Sequence, residues 1–356
     1  MLIISLIAVR RFLTRFPVRA VTALSLACAG AQPDWAAEEN QPQTPIQLTR
    51  DRPLDASAAP FVLASTRGLF RAEGLAVATN IVNGSPEAIA RVTSGSSDLA
   101  LVDINVLVRF RDSADAPPVK AVFVLFNKAP YAIIARKSRG IRALSDIQGK
   151  TLGVADGDFS IWFWPALAHQ NGIRIGSVKQ AKFSPAVREP MLSAGQIDAA
   201  TGFSYLAGVN LRDRGIPADD IAVLRFTDYG CEAYGFALIV NPAFAAAKPE
   251  AVRAFLRAVI AGTRLAIKEP MRAVDDILTQ MDGGSRELEL ARLRAVISDN
   301  ILTDEVKRNG IGGIDPARFD RSIGQLAEDF KFRARPTAAD IFDDAFLPAS
   351  SGRLIH

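Results

Sequence analysis

The sequence predicts an α/β protein of two similarly built lobes, on three observations. Its 356 residues exceed what one hydrophobic core usually fills. Short apolar runs alternate with helical patterns up to Asn241, as parallel strands joined by right-handed crossovers require. The segment GQIDAATG (195–202) repeats the arrangement of GSSDLALV (95–102), a glycine turn, an aspartate and a small apolar strand.

The N-terminus stands apart from this pattern. Leu2 to Val9 is apolar, Arg10, Arg11, Arg15 and Arg19 follow, and Val21 to Ala29 is apolar again before Ala29-Gly30-Ala31. Positive charge, a short apolar run and a small-x-small site predict a secretory signal over 1–31, too short for a transmembrane span. The double apolar run leaves an uncleaved anchor as the alternative, Arg10-Arg11 allows twin-arginine export, and Cys28 sits in a poor lipoprotein context. The four arginines carry the excess charge: without them 38 of the 42 basic residues remain, against 38 acidic ones. A formally neutral mature chain gives no reason to expect nucleic acid. Only Cys231 survives cleavage, so no internal disulfide and no Cys/His metal cluster is expected. A Ser-His-Asp triad could be built only around His169, whose place late in a helix before Gly172 suits a helix C-terminus better than chemistry.

Residues 32–45, polar and proline-bearing, read as a tether. The stretch from Pro53 to Gly95 then reads as a loop of small residues at a strand end, a helix, a glycine turn, a strand from Leu75 to Val82, a second loop at Asn83-Gly84-Ser85-Pro86 and a second helix. Ligands collect where strand ends meet helix starts, because loops and unpaired amide N–H groups face outward there. This stretch is therefore expected to form half of a small-molecule pocket. A compact strand from Asp98 to Asp103 and a buried one from Val119 to Leu125 follow. The count restarts at Tyr131, and Ala155 to Ser160 is another strand-end loop opening a helix that carries Trp162 and Trp164. After Asn241 the chain is mostly helical, with Pro249 and Glu250 marking the start of an amphipathic helix to Lys268. Ser350 to His356 is expected to fray.

The order of motifs resembles the extracytoplasmic substrate-binding proteins of ABC importers, in the NMT1/THI5-like branch. The resemblance rests on FVLASTRGLFRAEGLAV (61–77), VTSGSSDLALVD (92–103), GIRALSDIQGKTLGV (140–154), LSAGQIDAATGF (192–203) and KPEAVRAFLRAVIAG (248–262). The phrase DYGCEAYGFALIV (228–240) is similar to a segment of the pyrimidine-precursor relatives more than to the sulfonate binders. The chain departs from the yeast-type enzymes of the superfamily, which carry a CCCFC motif, so their activity is not carried over.

The resemblance implies a periplasmic-binding-protein type II fold: two α/β lobes joined by a two-strand hinge around a central ligand cleft. Lobe 1 would comprise 46–130 plus 236–345, lobe 2 would comprise 131–235, and 346–356 would form a tail. It also implies a periplasmic monomer that meets a membrane only through its partners, an ABC permease and its ATPase, and that needs neither cofactor nor metal. Binding then requires a desolvated cleft with a few placed polar groups and aromatic walls. The candidates in the first lobe are Asp55, Ser57, Ala58, Gly84, Ser85, Asp103 and Asn105, with Asn127 at the cleft floor. Those in the second are Asp158, Ser160, Trp162, Phe203, Tyr229 and Glu232. A planar heterocycle, such as a pyrimidine precursor of thiamine, would stack on Trp162 or Tyr229 and donate its amino group to Asp158 or Glu232. An alkanesulfonate, taurine or nitrate would want arginine, and the candidates Arg188 and Arg225 are not at clear pocket positions. A periplasmic sensor or partner-binding protein on the same fold is the remaining alternative; scarce histidine and cysteine count against an enzyme.

Overall fold

The computed structural model describes residues 43–355, so the leader and tether expectations, apart from the last tether residues, lie outside the described residues. The strands in chain order are β1 (Thr44–Arg50), β2 (Leu75–Ile81), β3 (Leu99–Asp103), β4 (Lys120–Val124), β5 (Tyr131–Arg136), β6 (Thr151–Ala155), β7 (Lys179–Phe183), β8 (Ala199–Phe203), β9 (Ile221–Arg225) and β10 (Phe236–Val240). They form two five-stranded sheets, β2-β1-β3-β10-β4 and β7-β6-β8-β5-β9. In each sheet one strand runs antiparallel to its neighbours, β10 in the first and β5 in the second. These are the strands on which the chain enters a sheet from the other lobe. It leaves the first sheet after Val124, returns after Arg225, and gives both lobes the same strand order.

The repeated sequence segment occupies the same place in each sheet, leading into the third strand of its lobe. Asp98 accepts a hydrogen bond from the backbone N–H of Gln47 at 2.7 Å, and Asp198 accepts one from Thr151 at 2.7 Å. Each carboxylate thereby satisfies a donor in the lobe's first strand that the ladder leaves open.

The crossing segments pair with each other. Gly235 N–H donates to the Phe126 carbonyl and Ala129 N–H to the Ala233 carbonyl, both at 2.9 Å. A Cβ on Gly235 would stand 2.9 Å from the Phe126 Cβ and 3.2 Å from the Ala129 Cα, so only glycine allows this approach.

Helices cover both sheets. The Pro249–Lys268 helix buries Val252, Phe255, Leu256, Val259 and Ile260, the stripe its sequence spacing predicts. An apolar cluster continues from one lobe into the other, with Phe319, Ile323 and Leu326 of the Pro316–Leu326 helix joining Trp164 and Leu167 of the Trp164–Gln170 helix. The lobes are therefore pressed together along this flank. The helix Ser204–Asp213 was not foreseen from the sequence, because Gly208 and Asn210 interrupt its apolar pattern. The chain end is corrected from frayed to anchored: Ile311 N–H donates to the Arg353 carbonyl at 3.0 Å, and Arg353 donates back to the Ile311 carbonyl at 2.9 Å.

Candidate functional site

The strand-end loops of the two lobes meet over an aromatic and charged centre. In the first lobe, Asp55 Oδ1 accepts from the Ser57 N–H at 2.8 Å and from its hydroxyl at 2.5 Å, setting the turn that opens the Ala59–Thr66 helix. The second lobe repeats this turn: Asp158 Oδ1 accepts from the Ser160 N–H at 3.0 Å and its hydroxyl at 2.6 Å. Gly84, at φ 96°, lets the chain turn into the Ser85–Thr93 helix. Ser85 then donates to Asp51 Oδ2 at 2.5 Å and accepts from the Asp103 N–H at 3.0 Å.

Asp103 lies at the contact between β3 and the hinge. Its Oδ2 accepts from the Tyr131 hydroxyl at 2.5 Å, while its Oδ1 accepts from the Asn105 N–H and Nδ2, both at 2.9 Å. Asn105 also donates to the Tyr234 carbonyl at 2.8 Å. Burial pushes the Asp103 carboxyl up to about 6, against the opposing hydrogen bonds from Tyr131 and Asn105. Burial and the adjacent Asp103 charge likewise raise the Tyr131 phenol. These groups satisfy one another and fix the hinge, so Asp103 and Asn105 are corrected to structural residues.

Arg52 is the central feature that the sequence reading missed. It follows β1, its Nε and Nη2 donating to the two oxygens of Asp51 at 2.8 and 3.0 Å. Its guanidinium carbon lies 3.7 Å from the Phe236 ring centre and 4.9 Å from that of Phe203. Burial alone would lower its pKa, but the Asp51 pairing outweighs this and raises it. Arg50, almost fully buried beside it, has its pKa lowered by burial against the pull of Asp55 and Asp51. The triplet Arg50-Asp51-Arg52 ends a strand, which was the signal available; the expectation instead began the loop at Asp55.

Several polar atoms here have no hydrogen-bond partner among the described residues: Arg50 Nε, the Tyr205 hydroxyl and Asp158 Oδ2. Tyr205 is fully buried in the field of Asp55 and Arg52, and burial raises its pKa. Orphaned buried groups cost about 1–3 kcal/mol each.

The remaining candidates divide. Phe203 stacks on Tyr205 with ring centres 6.0 Å apart and lies 6.4 Å from Tyr131, joining the central cluster. Trp162 stays half-buried, 4.7 Å from Phe159, with the Arg109 guanidinium 3.8 Å over its ring. Ala58 is corrected to a core residue, 1% exposed and packed in a cluster with Val62, Val274 and Leu293. Asn127 is corrected to a hinge brace. The residue is 2% exposed, and its side chain donates to Glu305 at 2.8 Å and accepts from Thr303 at 2.6 Å and Arg318 at 3.1 Å. Glu232 is likewise spent on Arg321, at 2.8 and 2.7 Å, because the Pro316–Leu326 helix brings that guanidinium across from the other lobe. Tyr229 only offers its carbonyl to Asn171 at 2.9 Å and packs its ring at the core margin. The cavities of about 290, 280 and 120 Å³ are lined by none of the fourteen candidates.

His169 lies exposed, 3.4 Å from Glu328, and burial pushes the Cys231 thiol up to about 12. No helix among the described residues is long and apolar enough to cross a membrane.

Two mixed sheets in the order just described, joined by two crossings and meeting at their strand ends, define the periplasmic-binding-protein fold. The periplasmic aliphatic sulphonate binding protein SsuA from Escherichia coli shares it, with a TM-score of 0.65 at 15% identity, covering 88% of this chain and 92% of that one. Residues 55–273 match the family described as NMT1/THI5 like, and the chain belongs to that family. Among its relatives, a 4-amino-5-hydroxymethyl-2-methylpyrimidine phosphate synthase from Schizosaccharomyces pombe is 27% identical over 76% of this chain and 79% of its own length. The riboflavin-binding protein RibY from Chloroflexus aurantiacus is 26% identical over 82% and 83%.

Proposed function

We propose that the chain is an extracytoplasmic solute-binding protein that delivers a flat, amino-bearing heterocycle of the pyrimidine kind to an ABC importer. The observation that carries this is Asp158. Its Oδ2 is a buried acceptor without a partner, on the residue that precedes Phe159 of the Phe159–Trp162 pair, and it would hold an exocyclic amino group while the ring stacks. The relatives named for a pyrimidine phosphate and for riboflavin point to the same solute class. An exposed His169 and a thiol held protonated by burial offer no activated nucleophile, which favours binding over catalysis.

Arg52 and Arg50 favour a second reading, an anionic solute such as a sulfonate or nitrate, since guanidinium donors at a strand end suit oxyanions. One experiment separates the two. Melting temperature is followed with aminopyrimidines, flavin precursors, alkanesulfonates and nitrate, in the parent and in Asp158→Asn, because a bound solute stabilises in proportion to occupancy. The heterocycle reading expects a pyrimidine or flavin shift that shrinks in Asp158→Asn. A shift only with sulfonate or nitrate that survives Asp158→Asn and vanishes in Arg52→Ala would sink it.

A further inference from the structure

Strands β4 and β9 lie beyond the crossing strands β10 and β5 in their sheets. The segments after them lead into the two crossings, and beside these crossings they line an open polar cavity of about 290 Å³. Lys128, in the first crossing, lines it between two walls; Arg225 at the end of β9 and Asp228 after it form one, and Asp299, Asp304 and Lys307 form the other. Asp299 stands in a π-helical turn, Val296–Ile301, a rare conformation often found at functional sites.

The charges are unevenly committed. Arg225 crosses from one wall to the other, with Nη2 2.7 Å from Asp299, and keeps Asp228 only at 3.6 Å. Asp304 is held by Lys307 at 3.4 Å, with both side chains more than half exposed. Lys128 forms no ion pair among the described residues. The acidic groups are not arranged as a metal cluster among those residues.

We propose that this cavity is a second ligand site that takes a small zwitterion, its carboxylate toward Lys128 and its ammonium toward Asp228 and Asp304. A dianion would meet three aspartates and a dication three basic groups, whereas a zwitterion complements both sets. The walls come from different lobes, so an occupant touching both binds differently in closed and open arrangements. Occupancy beside the hinge is therefore coupled to the cleft, and reciprocally. The coupling rests on the solute-cleft reading; the binding itself does not.

The test is the melting temperature of the whole chain with each of the twenty α-amino acids, with succinate and putrescine as anion-only and cation-only probes. At least one neutral amino acid is expected to raise it while both controls do not. Lys128→Met, which removes no ion pair, should weaken that response about tenfold without changing the melting temperature of the empty protein, and Asp228→Asn, which gives up only the exposed 3.6 Å contact with Arg225, should weaken it likewise. Asp158→Asn should leave it intact, which keeps a failure here apart from a failure of the solute cleft. No response to any amino acid, an equal response to succinate, or one that survives in the Lys128→Met, Asp228→Asn double variant overturns the proposal.

Discussion

The two lobes solve the same structural problem identically and then spend their polar groups differently. Both have the 2-1-3-x-4 strand order, an aspartate tying the third strand's entry to the first strand, and an Asp-x-Ser turn at the end of that first strand. In the first lobe the turn is then sealed. Glu289, fully buried, accepts the Ala56 N–H at 2.9 Å and pairs with Arg292, which donates to Asn210 of the other lobe at 2.7 Å. In the second lobe Asp158 keeps one oxygen unpartnered, in the turn that leads into the Phe159–Trp162 ring pair. Identical backbone chemistry thus belongs to the scaffold, and the proposed solute contact at Asp158 rests on the difference between the lobes.

The strongest test of that asymmetry is Gly262→Ala. A Cβ there would lie 2.1 Å from the Pro60 carbonyl oxygen, in the contact that clamps the Ala59–Thr66 helix under the Pro249–Lys268 helix. The atom met is backbone, so helices must separate, at a cost of about 3 kcal/mol read from the denaturation midpoint. A cost below about 1 kcal/mol would show that the first lobe's loop is not held rigidly after all.

Asp103 gives the next largest effect, and it depends on pH. Its folded pKa of about 6 lies above the ordinary value of 3.8. The stability it contributes is therefore complete below the lower value and lost as pH rises through the upper one. A shift of this size is worth about 3 kcal/mol at most. Asp103→Asn should remove that swing, becoming more stable relative to the parent between pH 4 and pH 7 by roughly 2 kcal/mol. Parallel stability curves for the two proteins would mean that the buried carboxylate is compensated by charge rather than penalised by burial.

Much of this architecture was legible because it is periodic. Alternating strands and helices, Pro249 at a helix start and the two G-x-x-D segments each follow from local rules that tertiary packing did not override. The site was less legible because strand-end position alone does not say what a side chain faces. Asn127 and Glu232 sit beside the crossings, yet Arg318 and Arg321 reach them from a helix 191 and 89 residues further along the chain. Arg52 was overlooked for the opposite reason: an arginine beside an aspartate reads as a solvated pair, and nothing local tells that Phe203 and Phe236 will close over it.

The matched aspartates offer a smaller and cleaner comparison. Asp98→Ala and Asp198→Ala each strip the acceptor from one strand N–H, at about 1–2 kcal/mol. Because both residues are half-buried and bond at the same 2.7 Å, the two losses should agree within about 0.5 kcal/mol and add in the double variant. Unequal losses would show that the repeat is a likeness of sequence without a likeness of role.

The smallest expected effect discriminates the two carboxylates that were proposed for the same job. Glu232 is paired with Arg321, whose side chain is 58% exposed, so Glu232→Gln should cost less than about 1 kcal/mol of stability. It should also leave solute affinity within about twofold of the parent, since both oxygens of this carboxylate already accept from the Arg321 guanidinium. Asp158→Asn, measured by the same titration, should lower affinity about tenfold or more, because the oxygen it alters is the one without a partner. If Glu232→Gln instead abolishes binding, the Arg321 pairing belongs to the empty protein only. The solute would then take over that carboxylate on closure, and the site would shift toward the hinge.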